Sequence, residues 1–160
     1  MKKIKLYSEL SVFDSIDELT PEVKKLMEQA IATREMAYAP YSHFRVGAAL
    51  LLDNGLTVTG NNQENAAYPS GLCAERVAIY AAGAQYPKNV ILKMAISARS
   101  ENHKLDKPIP PCGACRQAIA EYEIKQHKSI EIYFMGEAGA VYKSDSLADL
   151  LPLMFDADSL

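Results

Sequence analysis

Three cysteines, carried by two short segments, constrain this chain more than any other feature. Cys73-Ala74-Glu75-Arg76 and Pro111-Cys112-Gly113-Ala114-Cys115-Arg116 each read as the opening of a helix. A cysteine at that position faces N–H groups without intrahelical acceptors and the positive end of the helix dipole, which favours thiolate. Cys112 and Cys115 share one helical face, so a single cation can bridge both sulfurs. With Cys73 added, three thiolates can surround one Zn²⁺, an ion suited to soft sulfur ligands. If one ion holds all three, the starts of two helices must meet at one point.

The missing fourth ligand is informative. The histidines are His43, His103 and His127, and none stands at ligand spacing from a cysteine. Three protein ligands plus a water is the stoichiometry of a catalytic zinc, which lowers the pKa of its water to about 7. Glu75, two residues after Cys73, is expected to point away from the sulfur and into a substrate cavity, where it can carry protons. Three thiolates and Zn²⁺ leave a negative site, and Arg76 and Arg116 are candidates to donate hydrogen bonds to the sulfurs and offset it. Taken alone, a C-x-x-C pair is equally half of a structural zinc site or a redox dithiol. A lone Glu or Arg on a helix is ordinarily a solvated side chain. The conjunction of the two segments carries the catalytic reading.

The rest of the chain reads as one domain of 160 residues. A hydrophobic fraction of 49% with 23% charged residues excludes disorder, and a net charge of −3 speaks against a binder of nucleic-acid phosphates. No apolar run is long enough to span a bilayer. Met1-Lys2-Lys3-Ile4-Lys5-Leu6-Tyr7 has the charges of a signal peptide without the apolar stretch behind them, so a cytoplasmic protein is expected. An odd cysteine count in a reducing compartment points to metal or catalysis rather than disulfides.

Residues 1–19 show no regular pattern. Thr20-Pro21 signals a helix start. Val23, Leu26, Met27, Ala30, Ile31 and Met36 follow as one stripe, and Pro40 ends the helix. Phe44–Leu52 and Leu56–Asn61 form a hairpin about Asp53-Asn54-Gly55. A helix runs from near Cys73 to a stop at Gly83. Val90–Ala98 is a strand, and 99–111 is a polar loop. A helix follows from Cys112 to about Ile124, then strands Ile130–Met135 and Ala140–Lys143, and a short final helix Ser146–Leu151. This alternation predicts an α/β protein, a three-layer α-β-α arrangement with a mixed five-stranded sheet.

The two cysteine segments match the zinc-deaminase signature H-x-E…P-C-x-x-C in its three-cysteine form, with Cys73 in the place of the histidine. On these residues the chain resembles the cytidine deaminase family, specifically its small, homotetrameric, three-cysteine type. The cysteine points towards free nucleosides rather than deoxycytidylate or polynucleotides. Tyr38-Ala39-Pro40-Tyr41-Ser42-His43-Phe44-Arg45-Val46-Gly47-Ala48-Ala49 is similar to the family's N-terminal signature. Asn62-Gln63-Glu64-Asn65-Ala66-Ala67-Tyr68 is similar to its ribose-binding segment, and Asp149-Leu150-Leu151-Pro152 with Phe155 to its C-terminal helix and tail. The likeness covers residues 20–160, leaving residues 1–19 as an extension.

The resemblance implies a cytidine deaminase-like fold and hydrolytic deamination of cytidine and deoxycytidine in pyrimidine salvage. One zinc per subunit would be held by Cys73, Cys112 and Cys115, with Glu75 as proton shuttle and Arg76 neutralising the thiolates. Asn62 and Glu64 would bond the ribose hydroxyls, Phe44 would stack on the pyrimidine, and the Ala74 N–H would hold the base carbonyl. Phe155 of a neighbouring subunit would help close the pocket of a homotetramer, with no nucleic acid or membrane partner. Without the family, Phe44 reads as core, Asn62 and Glu64 as an exposed strand end, Phe155 as a hydrophobic anchor and His43 as structural. The rival activities are deamination of another aminopyrimidine nucleoside such as a blasticidin-type antibiotic, a zinc-stabilised binding module, and a dithiol oxidoreductase.

Overall fold

Two strands carry apolar residues on both faces, and they lie at the centre of the sheet. In β2 (Phe44–Leu52), Ala48, Leu50 and Leu52 face one way and Ala49 and Leu51 the other; in β4 (Ile91–Ser100), Met94 and Ile96 oppose Ala95. Strands buried on both sides lose the polar alternation of an exposed sheet. The computed structural model describes residues 1–156. The remaining strands are β1 (Ser11–Phe13), β3 (Thr57–Asn61), β5 (Glu131–Met135) and β6 (Val141–Ser144). They form one mixed sheet in the order β1-β6-β5-β4-β2-β3, in which only the β4–β5 pair is parallel.

Three helices cover it. α1 (Pro21–Arg34) packs Val23, Leu26, Met27 and Ala30 on one face against Ala49, Leu51, Ala95 and Tyr133. Its N-cap, Thr20, accepts the Val23 N–H at 3.4 Å, and Pro21 follows where a missing N–H costs nothing. α2 (Ala74–Gln85) and α3 (Gly113–Gln126) lie together on the opposite face, over the cluster of Leu50, Met94, Ile96 and Ile132. The three layers are those expected.

Several details differ from the sequence-based expectation. The sheet has six strands, not five, because residues 11–13 pair antiparallel with β6, Ser11 opposite Lys143 and Phe13 opposite Val141. Phe13 and Ile16 also pack against the α1 side of the core, and Lys24 reaches back to Asp17 at 2.6 Å. The strand is only three residues long, with two of them exposed, so it is held by its partner's open edge rather than by its own pattern. α1 ends at Arg34, before Pro40, and Met36 is 71% exposed rather than part of the stripe. The final helix is only a 3-10 turn, Leu147–Asp149, begun by a Ser146 side-chain cap.

Gly83 does not stop α2. It lies inside the helix, where a Cβ would come within 2.2 Å of the Tyr122 hydroxyl, so it lets α2 and α3 approach closely. Gly60 does the same for β3 against the first turns of α2: a Cβ there would lie 2.5 Å from the Ala78 nitrogen and 2.7 Å from the Ala74 carbonyl. Backbone, unlike a side-chain tip, has nowhere to move. Gly60→Ala is therefore expected to cost about 1–3 kcal/mol through overpacking, read as a lower urea midpoint at unchanged slope. An unaltered midpoint would show that α2 can shift freely on the sheet.

Candidate metal centre and adjoining cleft

Cys73 is the N-cap of α2 and Cys112 the N-cap of α3, both extended at ψ 155° and 166°, while Cys115 closes the first turn of α3. Because the two helices share one sheet face, their N-termini converge and bring the three cysteines together. Their sulfurs all lie within 4.8 Å of one another, with Cys73 Sγ 3.8 Å from Cys112 Sγ, and Cys112 Sγ 3.4 Å from Cys115 Sγ. Tetrahedral zinc with Zn–S bonds of about 2.3 Å spaces its sulfurs about 3.8 Å apart. The donor set fits that ion in type and in spacing. Cys115 is buried, Cys73 half-buried and Cys112 exposed, so the cluster opens to solvent on one side.

The electrostatics are those of an anion site. The Cys115 thiol donates to Cys73 and, with Arg76 adding its bond, holds the Cys73 thiol down at about 5. Giving its proton to that bond pushes the Cys115 thiol up, and burial pushes it further. Arg76 reaches Cys73 Sγ with Nη2 at 3.9 Å, and its Nε is buried without a hydrogen-bond partner. A cation left with an unsatisfied buried donor beside three thiols suits a cluster that carries more negative charge than the thiols alone.

Glu75 is 4% exposed and does not point away from the sulfurs. Cys115 beside it favours its ionised form, and the charge of Cys73 opposes that form. Burial is the dominant influence and raises its pKa to about 7, where a carboxyl can both take and give a proton near neutral pH. The converging helix starts bring this acid to the cluster, because it sits one residue inside α2. Arg116, the other candidate to reach the sulfurs, is elsewhere: Nε donates to the Pro111 carbonyl at 2.8 Å and Nη1 to the Leu150 carbonyl at 2.6 Å.

An open cleft of ≈ 440 Å³ adjoins the cluster, walled by Tyr41, Ser42, Asn62, Glu64, Tyr68 and Cys73 among others. Asn62 and Glu64 are not idle polar residues at a strand end. The Asn62 side chain accepts from Val46 N at 2.7 Å and donates to the Phe44 carbonyl at 2.9 Å, which leaves half of its amide's capacity for a ligand. Glu64 accepts from the amides of Tyr41 and Ser42 at 2.9 and 3.2 Å and from the Ser42 hydroxyl. Burial works against its ionised form, but these bonds outweigh it and hold the carboxyl below its usual range.

Phe44 opens β2 half-buried, placed by its amide bond to Ser42 Oγ at 3.0 Å rather than by the core. Ala74 is wholly buried as the first residue of α2, where an N–H has no intrahelical acceptor. Phe155 is 59% exposed, its carbonyl held by Gln117 Nε2 at 2.8 Å. His43 has φ 54° and pairs with Glu101 at 3.1 Å, which agrees with a structural role. The residues that sequence reasoning missed are Ser42 and Gln117, because each acts on a group far along the chain.

A sequence profile described as the cytidine and deoxycytidylate deaminase zinc-binding region matches residues 20–130. The cytidine deaminase of Halalkalibacterium halodurans is 38% identical over 135 residues, 84% of this chain and 95% of that protein. That of Sporosarcina psychrophila is 38% identical over 139 residues, 87% of this chain and 95% of that protein. The chain belongs to the cytidine and deoxycytidylate deaminase family. Its fold agrees: the crystal structure of cytidine deaminase from Burkholderia pseudomallei superposes with a TM-score of 0.72 at 39% identity, covering 86% of this chain and all of that one. The cofactor of this zinc-binding deaminase is therefore zinc, and the three-cysteine cluster is the group that fits it among the described residues.

Removing one sulfur should be enough to lose the ion, since ligand and fold are coupled. Cys112→Ala is expected to bind clearly less than one zinc per chain after dialysis, by elemental analysis of the folded protein; full stoichiometry would overturn the cluster as the site. The Glu64 brace carries a pH signature. A carboxyl held low in the fold stabilises it above the unfolded value of about 4.3, and that contribution fades as pH falls through the lower folded value. Wild type should therefore exceed Glu64→Gln in urea midpoint at neutral pH, with the gap closing on acidification below about pH 4. A gap independent of pH would show that Glu64 acts by shape alone.

Proposed function

We propose that this protein hydrolyses the exocyclic amino group of cytidine and deoxycytidine, giving uridine or deoxyuridine and ammonia. One observation carries the reading most directly: a buried carboxyl with a pKa near 7 lies beside Cys73 and Cys115 of the three-thiol cluster, and Cys73 also lines an open cleft. Zinc held by Cys73, Cys112 and Cys115 supplies Lewis acidity and makes water a competent nucleophile near neutral pH. Arg76 offsets the charge of the sulfurs.

Glu75 takes a proton from the attacking water and gives it to the ring nitrogen beside C4. A C4–O bond forms, the bond from C4 to the exocyclic nitrogen breaks, and Glu75 delivers the second proton to the departing ammonia. The Ala74 N–H, at the positive end of α2, holds the base carbonyl. Asn62 and Glu64 face the ribose with the capacity their braces leave, and Phe44 stacks on the pyrimidine. A free pentose rather than a phosphate suits a cleft edged by Glu64 and Asn62.

The active form in this reading is a homotetramer, in which Phe155 of one subunit closes the pocket of another. No described helix is long and apolar enough to cross a membrane. A cytoplasmic enzyme of pyrimidine salvage, with a nucleoside as its partner and neither nucleic acid nor membrane, is consistent with that.

Glu75→Gln keeps the shape and removes the proton path. It is expected to retain zinc and fold while losing about 10²–10⁴-fold or more in kcat, followed by the fall in ultraviolet absorbance as cytidine becomes uridine. Turnover like the wild type's would overturn the role of Glu75. No turnover of cytidine or deoxycytidine by the zinc-loaded parent protein would overturn the function.

A further inference from the structure

Arg116 and Gln117 stand directly after Cys115, and neither touches a sulfur. Between them they hold three backbone carbonyls: Pro111, Leu150 and Phe155, at 2.8, 2.6 and 2.8 Å. The first belongs to the residue before Cys112. The other two belong to the C-terminal segment, whose Met154 packs against the core beneath α2 and α3. Arg116 follows the first turn of α3, which Cys115 closes, and its two short bonds mark what it does there.

The three cysteines differ in what fixes them. Cys115 is buried in the core and Cys73 is half-buried against Arg76, but Cys112 is exposed, so packing does little to orient it. Cys112 is also an N-cap, tied to α3 only through its carbonyl, which accepts the Arg116 N–H at 2.9 Å, and on its other side it continues from the buried Pro111 peptide. Arg116 grips that peptide with one arm and the Leu150 peptide with another arm of the same rigid plane. We propose that Arg116 is a positioning residue that couples the C-terminal segment Leu150–Phe155 to retention of the metal. Gln117 is the segment's second anchor and does not take part in that coupling. The inference rests on the zinc reading above. Because linkage is reciprocal, the ion that orders Cys112 also tightens the hold on Leu150.

The test uses the full-length, zinc-loaded protein, with transfer of zinc to an excess of a colour-forming chelator as one readout. The other is hydrogen exchange at the Leu150 and Leu151 amides, which both bond to the Leu147 carbonyl, at 2.8 and 2.9 Å. Arg116→Lys keeps the charge and loses the planar fork. It is expected to weaken zinc retention roughly 10–100-fold, the usual effect of removing a group that orients a ligand, and to speed exchange at both amides. Gln117→Ala should loosen the chain near Phe155 and leave zinc release unchanged.

Zinc release at the parent rate from folded Arg116→Lys overturns the coupling. Release from Gln117→Ala as fast as from Arg116→Lys overturns the assignment to Arg116. If Arg116→Lys does not fold, the wild-type protein decides: stripping zinc should speed exchange at Leu150 and Leu151, and equal exchange with and without the ion overturns the proposal. A parent protein that binds no zinc overturns the metal reading itself, and this inference with it, before any variant is compared.

Discussion

Two helix N-termini meet head to head on one face of the sheet, and the rest of the site depends on how that meeting is made tolerable. Each brings a partial positive charge and N–H groups without intrahelical acceptors. Placed side by side without an anion between them, they would repel. Cysteine at both caps puts two sulfurs in the converging field, and the Cys73 thiol is held down at about 5 there. The same field that allows the helices to approach creates the donor set for a soft cation. Gly60 and Gly83 let the helices come close enough, the first against β3 and the second against Tyr122.

That arrangement also explains why one glutamate can work at neutral pH. Glu75 is in the first turn of α2, where the dipole and Arg76 favour its ionised form. Burial and the charge of Cys73 favour the protonated one, and burial dominates. A carboxyl on the surface of α2 would simply be ionised. Its usefulness comes from being carried under the cluster by the packing of α2, so the stability of the layer and the chemistry of the acid have a common origin.

The cysteine segments and the both-faces-apolar strands β2 and β4 were legible in the sequence because each is a local pattern with one physical meaning. The start of α1 at Thr20-Pro21 was legible for the same reason. Strand β1 was not: Ser11–Phe13 becomes a strand only because β6 offers it an open edge. The end of α2 was misread at Gly83, since helix-breaking propensity is a weak preference that close contact with Tyr122 overrides. Within the site, residue types announced the three thiols that the fold brings together, but the partners of Arg116 and Glu64 were invisible. Among those partners are backbone groups 34 and 22 positions away, and backbone carries no residue type to read.

The two arginines show how little a motif says about a side chain's task. Arg76 and Arg116 each stand near the start of a helix that a cysteine caps, the third and the fourth residue after the cap. Arg76 turns back to the Cys73 sulfur because Glu75, Cys73 and Cys115 make that pocket negative and half-buried. Arg116 stands one residue further from its cap, which turns its side chain about 100° further around the helix. It bonds the Leu150 and Pro111 carbonyls with two donors fixed in one plane. Charge compensation and mechanical bracing are thus divided between two like residues by where each stands on its helix and which groups lie within its reach.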